Sequence, residues 1–343
     1  MLWLHRYTRL LAASSLLLIT AGGLVTSTGS GLSVPDWPNS YGYFMFSFPL
    51  SQMVGGVFYE HGHRLIASTV GMMTIGLALW LNRVESRRWV RHLGWIALAA
   101  VVAQGILGGI TVIFFLPTQL SVSHAGLAQL FFALVVSLAI FTSPGWREAY
   151  GRDAPEERAI INDGALLGLA LVTPVAIFLQ IMVGATMRHT GAGLAIPDFP
   201  LAFGRLIPPV WDGGIAIHFA HRVGALVVTT LVVALTGHIL AHWRGRTELT
   251  RPAVLLVIVV ATQVFLGAWT VLSERDVGVN SAHVATGAAL FVTAVALALR
   301  VFRERFGDVH GHDDVAHAGG LRPADLAFPS ATIQAPGSHG EEL

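Results

Sequence analysis

Gly29-Ser30-Gly31-Leu32-Ser33-Val34-Pro35-Asp36-Trp37-Pro38 returns later in the chain as Gly191-Ala192-Gly193-Leu194-Ala195-Ile196-Pro197-Asp198-Phe199-Pro200. Working outward from each copy, His63-Arg64 is matched by His221-Arg222. Gln104 and Gly108 are matched by Gln263 and Gly267, and His124 by His283. These features keep one order and a nearly constant offset, so the chain reads as one design written twice. Each copy of the ten-residue segment follows one long apolar run and precedes three more.

The 343 residues are 54% hydrophobic and 12% charged, with a mean hydropathy of +0.64. A soluble domain carries roughly 25% charged residues, so the composition excludes that class. Eight apolar runs of spanning length lie at about 8–28, 62–82, 93–115, 121–142, 164–187, 217–241, 252–273 and 281–301. The fold class expected is all-α integral membrane, because only helices and closed barrels cross lipid and these runs are too long for barrel strands. Four runs per half, an even number, insert both halves in one orientation. The result is eight transmembrane helices as two tandem four-helix bundles, related by a pseudo-twofold axis along the membrane normal.

The expected organisation is an N-terminal half 1–145, a cytoplasmic linker 146–160, a C-terminal half 161–303 and a disordered cytoplasmic tail 304–343. The opening stretch from His5 to about Val25 has the basic start and apolar body of a signal peptide. It is read as a retained helix because its counterpart recurs in the second half. Arg6, Arg9, Arg83, Arg87, Arg88, Arg91, Arg147, Arg152, Arg158, Arg244, Arg246, Arg251, Arg303 and Arg305 gather in the termini and one set of loops. By the positive-inside rule both termini are cytoplasmic, and in a bacterium the other face is outside the inner membrane. The basic residues are all arginine and scattered, which offers no nucleic-acid surface. No cysteine is present, which excludes disulfides, iron–sulfur ligation, thiolate heme ligation and covalent c-type heme attachment.

The repeated histidines fall at or near the outer ends of the second, fourth, sixth and eighth runs. An ionisable side chain at membrane depth marks a functional site. Two imidazoles facing each other across a four-helix bundle suit a heme iron. Zinc wants three or four convergent ligands, and no Met-rich or Cys-containing cluster speaks for copper. For a lone histidine, hydrogen bonding at the headgroup level is the competing reading. Gly105, Gly108, Gly109 and Gly267 allow close approach of a flat ligand, or equally of a neighbouring helix. Arg64 and Arg222 could hold heme propionates, anchor a loop, or snorkel to the headgroups.

The repeat breaks at one informative place. Glu60 stands three residues before His63, whereas His218 stands three residues before His221. Positions three apart share a helix face, so Glu60 is expected to point toward whatever His63 binds, and a carboxylate there can relay protons. This assigns chemistry to the first half and a permanent cofactor to the second. His61 has no counterpart and is set aside. His189, His238 and His242 lie off the repeat, and His310, His312, His317 and His339 fall in the tail. The loops 29–59 and 191–216 are long and aromatic, fit to cover a hydrophobic ligand or to lie in the membrane interface.

Glu60-x-x-His63-Arg64, His221-Arg222, His124 and His283 on eight helices in tandem halves, with the Gly-Ser-Gly-Leu segment, resemble the heme A synthase family, cysteine-free type. The resemblance covers about residues 5–305. It implies oxidation of the C8 methyl of heme O to a formyl group by two successive hydroxylations, giving heme A for terminal oxidases. It implies heme b at His221 and His283, and a substrate site at His63 and His124 with Glu60 catalytic. Some members carry loop cysteine pairs; this chain has none, so a thiol-based mechanism is excluded. The partners implied are the heme O synthase (a farnesyltransferase) and a membrane electron carrier such as quinol or quinone, with a homo-oligomer open. Rival readings are a di-heme b-type electron carrier, with equivalent halves and a dispensable Glu60, and a heme chaperone or transporter.

Overall fold

The computed structural model describes residues 1–148 and 161–306. Its helices are α1 (Leu2–Ser27), α2 (Gly56–Val84), α3 (Arg88–Ile113), α4 (Thr118–Phe141), the short α5 (Pro144–Glu148), α6 (Gly164–His189), α7 (Gly213–His242), α8 (Thr247–Leu272) and α9 (Val277–Phe306). All but α5 are long and apolar enough to cross a membrane, and the chain is an integral membrane protein. Among the described residues there is no β-strand, only the isolated bridges Ser40–Tyr43 and Ala202–Arg205. Of the expected linker 146–160, only residues 146–148 are described, and they lie in α5. The expected tail begins instead as the last turn of α9; its remainder, with His310, His312, His317 and His339, lies outside the described residues.

The packing follows the repeat. In the first half α1 packs on α2, α2 on α3, α3 on α4 and α4 back on α1. In the second half α6, α7, α8 and α9 close the same ring. The halves meet through α1 against α9, α4 against α6 and α4 against α9, the pairing expected of two bundles about a twofold axis. Each half has its own apolar core. Leu11, Leu77, Leu81 and Leu138 are fully buried in one, and Leu166, Leu235, Ile239 and Leu256 in the other.

The hairpins turn at two ends of different character. At the end joining α2 to α3, Glu85 is buried and accepts from Arg87 at 2.9 Å and from Arg147 at 3.3 Å. Burial pushes the Glu85 carboxyl up, but hydrogen bonds and charge from Arg87, with the Arg147 charge, outweigh it and hold the carboxyl below its ordinary range. In the second half Asp163 does comparable work. It caps α6 through Leu166 N–H at 2.9 Å, and its other oxygen meets His238 at 2.7 Å and Trp243 Nε1 at 2.9 Å. The opposite end carries the two long loops and all four repeated histidines.

Helix starts at that end differ from the hydropathy reading. α2 begins at Gly56 and α7 at Gly213, so each histidine lies six to eight residues inside its helix. At 1.5 Å per residue that is a depth of about 9–12 Å. The extra turns carry residues such as Tyr59, Glu60 and His61, which a hydropathy window scores as loop.

Candidate functional site

Each repeated histidine rests on a glycine of the preceding helix. A Cβ placed on Gly22 would sit 3.1 Å from His63 Cε1; on Gly108, 3.0 Å from His124; on Gly184, 2.7 Å from His221; and on Gly267, 3.0 Å from His283. Any larger residue would push the ring aside, so these glycines set where the imidazoles stand. The sequence reading found Gly108 and Gly267 and missed Gly22 and Gly184. Gly105 has open space beside it, and Gly109 receives the Trp37 indole of the first loop.

A glutamine one turn before the glycine completes three of the four positions. Gln104 Nε2 donates to His124 O at 2.9 Å and lies 3.4 Å from its Nε2. Gln263 Nε2 lies 3.4 Å from His283 Nε2. Gln180 Nε2 lies 3.0 Å from His221 Nδ1 and donates to His221 O at 2.6 Å. The fourth position, below Gly22, is Leu18. His63 alone therefore has no amide partner of this kind.

The His221 and His283 rings stand 6.4 Å apart, centroid to centroid, nearly perpendicular. Two imidazoles bound to one metal from opposite sides, with metal–nitrogen bonds of about 2 Å, have centroids roughly 6 Å apart. In the first half, His124 lies within electrostatic reach of His63. Nδ1 of His63, His124 and His283 is buried with no hydrogen-bond partner. Buried polar atoms are almost always satisfied, so orphaned imidazole nitrogens in an apolar bundle fit a group that ligates them. The donor set and the glycine-backed rings suit a heme.

The geometry shared by the two halves extends to the loops above. Arg64 Nη1 donates to Asp36 O at 2.7 Å and Asn39 O at 3.0 Å, and its Nη2 to Val34 O at 2.9 Å. Arg222 Nη1 donates to Leu201 O at 2.7 Å, and its Nη2 to Ile196 O at 3.1 Å and Asp198 O at 2.7 Å. The three acceptors occupy matched positions of the two loops. Of the roles left open for these arginines, loop anchoring is the one observed. Asp36 and Asp198 accept from Tyr41 and Gly42, and from Phe203 and Gly204, at 2.7–2.8 Å. Burial works against Asp36, but its backbone donors outweigh it, and both carboxyls sit below the ordinary aspartate range.

Glu60 belongs to the same anchoring set. Its Oε2 accepts from Val34 N–H at 2.8 Å and its Oε1 from Arg64 at 2.7 Å. His218, at the matched position, accepts from Ile196 N–H at 3.2 Å through Nδ1. Both side chains thus cap the same loop N–H, and what differs is the charge. His61, set aside earlier, is buried and meets Ser40 Oγ at 2.9 Å. Its counterpart contact is apolar: Phe219 packs on a cluster with Ala202.

Eight membrane helices in two matched bundles, each with a pair of glycine-backed histidines, define an integral membrane protein of tandem four-helix halves with a candidate heme-binding pair in each. The family model COX15-CtaA, described as cytochrome oxidase assembly protein, matches residues 5–295. The heme A synthase of Halalkalibacterium halodurans is 30% identical over 84% of this chain and 94% of its own length. That of Shouchella clausii is 31% identical over 75% and 83%, and that of Symbiobacterium thermophilum 31% over 75% and 81%. The chain belongs to the heme A synthase family of cytochrome oxidase assembly proteins.

Proposed function

We propose that this chain makes heme A, oxidising the C8 methyl of heme O to a formyl group in two successive hydroxylations. The observation that carries the assignment of sites is that a carboxylate, Glu60, caps the loop N–H beside His63, where His218 caps the matched N–H beside His221. His221 and His283 hold a resident heme b, which supplies one-electron redox capacity when bound. His63 and His124 receive the substrate, heme O.

With water as oxygen source, taking a methyl to a formyl group releases four electrons and four protons. Were His63 and His124 both to hold the substrate iron, dioxygen would find no open position, which favours water. Glu60, three residues before His63, is the carboxylate placed to accept protons, and it must loosen from Arg64 to do so. Arg64 and Arg222 act through the loops they tie down. The sites face the outer side of a bacterial inner membrane, both termini are cytoplasmic, and a quinone-type carrier takes the electrons. The heme O synthase hands over the substrate.

Pigment analysis of purified protein, with heme O supplied, tests this. Wild type is expected to contain heme b and to form heme A, and Glu60→Ala to accumulate heme O or a hydroxylated intermediate. Heme b alone, with no heme A formed, would overturn the synthase reading in favour of an electron carrier.

A further inference from the structure

Gln180, Gly184 and Arg188 occupy successive turns of one face of α6. The first is bonded to His221 and the second underlies its ring, so the third stands on the face that lines this site, one turn nearer the loops. Arg188 Nη2 donates across the seam to Gly23 O at 2.8 Å and Ser27 Oγ at 2.7 Å of α1, both neutral acceptors. Its Nε is buried with no partner. Among the described residues no acidic side chain pairs with it, and the neighbouring charge it feels is a second cation, Arg275. His283 lies within its electrostatic reach. In the first half the same face reads Leu18, Gly22, Thr26, with no cation.

A guanidinium drawn out of water without a counter-charge is costly, and it persists where an anion completes it. We propose that Arg188 receives a carboxylate of the macrocycle held by His221 and His283, and that its fixed charge raises the reduction potential of that site. The inference rests on the heme reading above. It distinguishes the two sites by a cation on the helix face beneath the histidine, which only the second half possesses. A positive charge beside an iron favours the reduced form, because reduction lowers the positive charge there.

The test is a spectroelectrochemical titration of the heme in the purified full-length protein. Arg188→Gln is expected to lower the reduced-to-oxidised ratio at fixed potential about tenfold, a shift of about 59 mV for one electron. Ser27→Ala removes a partner of Arg188 but keeps its charge, and is expected to leave the midpoint in place. Ser27→Asp keeps Arg188 and supplies a rival anion across the seam. It is expected to lower the midpoint in the same direction, even if Arg188→Gln does not fold. An unchanged midpoint in a heme-loaded Arg188→Gln or in Ser27→Asp, or a shift reproduced by Ser27→Ala, would overturn the proposal. Wild-type protein with no heme would overturn the heme reading itself, a separable result.

Discussion

The first and second halves hold one geometry with different chemistry. Each loop is tied by an arginine to three carbonyls at matched positions, and by an aspartate to two N–H groups of a tight turn. The side chains beside those ties have changed. A carboxylate and a serine–histidine contact hold the first loop, where a histidine and an apolar cluster hold the second. Under the loops, Leu18 stands where Gln180 stands, and Thr26 where Arg188 stands. These differences fall on the helix faces and loops that surround the two histidine sites. The loop frame is common to both halves, while the side chains around the histidines differ.

Substitutions at Glu60 press hardest on that contrast. Glu60→Gln keeps an acceptor for Val34 N–H but loses the base, so heme A formation should fall at least about 100-fold with the fold intact. Glu60→Ala also orphans that buried N–H, and a thermal melt should show about 2 kcal/mol lost besides. His218→Gln, the same change of acceptor in the second half, should leave turnover near wild type. Equal losses from Glu60→Gln and His218→Gln would reduce Glu60 to a loop anchor.

The glycines rank next. Gly184→Ala brings a Cβ within 2.7 Å of His221 and should lower retained heme b about tenfold, read from pigment per chain. Gly22→Ala, at 3.1 Å from His63, should spare heme b and act on heme O turnover. Gln180→Ala removes the partner that orients His221 and should weaken heme b retention at the lower end of the 10- to 100-fold range for such groups. Its mirror, Leu18→Gln, should change heme b content little.

The loop contacts come last. Ser40→Ala with His61→Phe writes the second-half pair into the first and should shift stability by no more than about 1 kcal/mol. Acid should loosen both loops together. The folded carboxyls of Asp36 and Asp198 lie below their unfolded values, so their contribution is full above the ordinary aspartate range. It is lost as pH falls through the folded values. Limited proteolysis of the loops at falling pH reads this, and cleavage of only one loop would break the symmetry claimed for the two turns.

Hydropathy and the repeat were enough to read the eight helices and the four histidines from the sequence. Helix starts were not legible, because Tyr59, Glu60 and His61 open α2 with polar and aromatic side chains. Gly22, Gly184 and Gln180 escaped notice because their repeat is only partial: Leu18 replaces the glutamine, and loop length changes the offset. Aligning α1 with α6 through the Gly29 and Gly191 segments would have exposed both glycines. Glu60 showed its proximity to His63 in sequence but not its loop partner. Val34 reaches it only once the loop folds back over α2, whereas Arg64, four residues on in the same helix, was already legible as a partner from spacing.

The central claim is that His221 and His283 keep a resident heme while His63 and His124 serve a passing one. It is tested most directly by heme content in cells that cannot make heme O. Wild type, His63→Ala and His124→Ala should each retain about one heme b per chain, and His221→Ala or His283→Ala should retain less than about a tenth of that. Equal loss from both pairs, or retention that fails with His63→Ala and survives His221→Ala, would contradict the account.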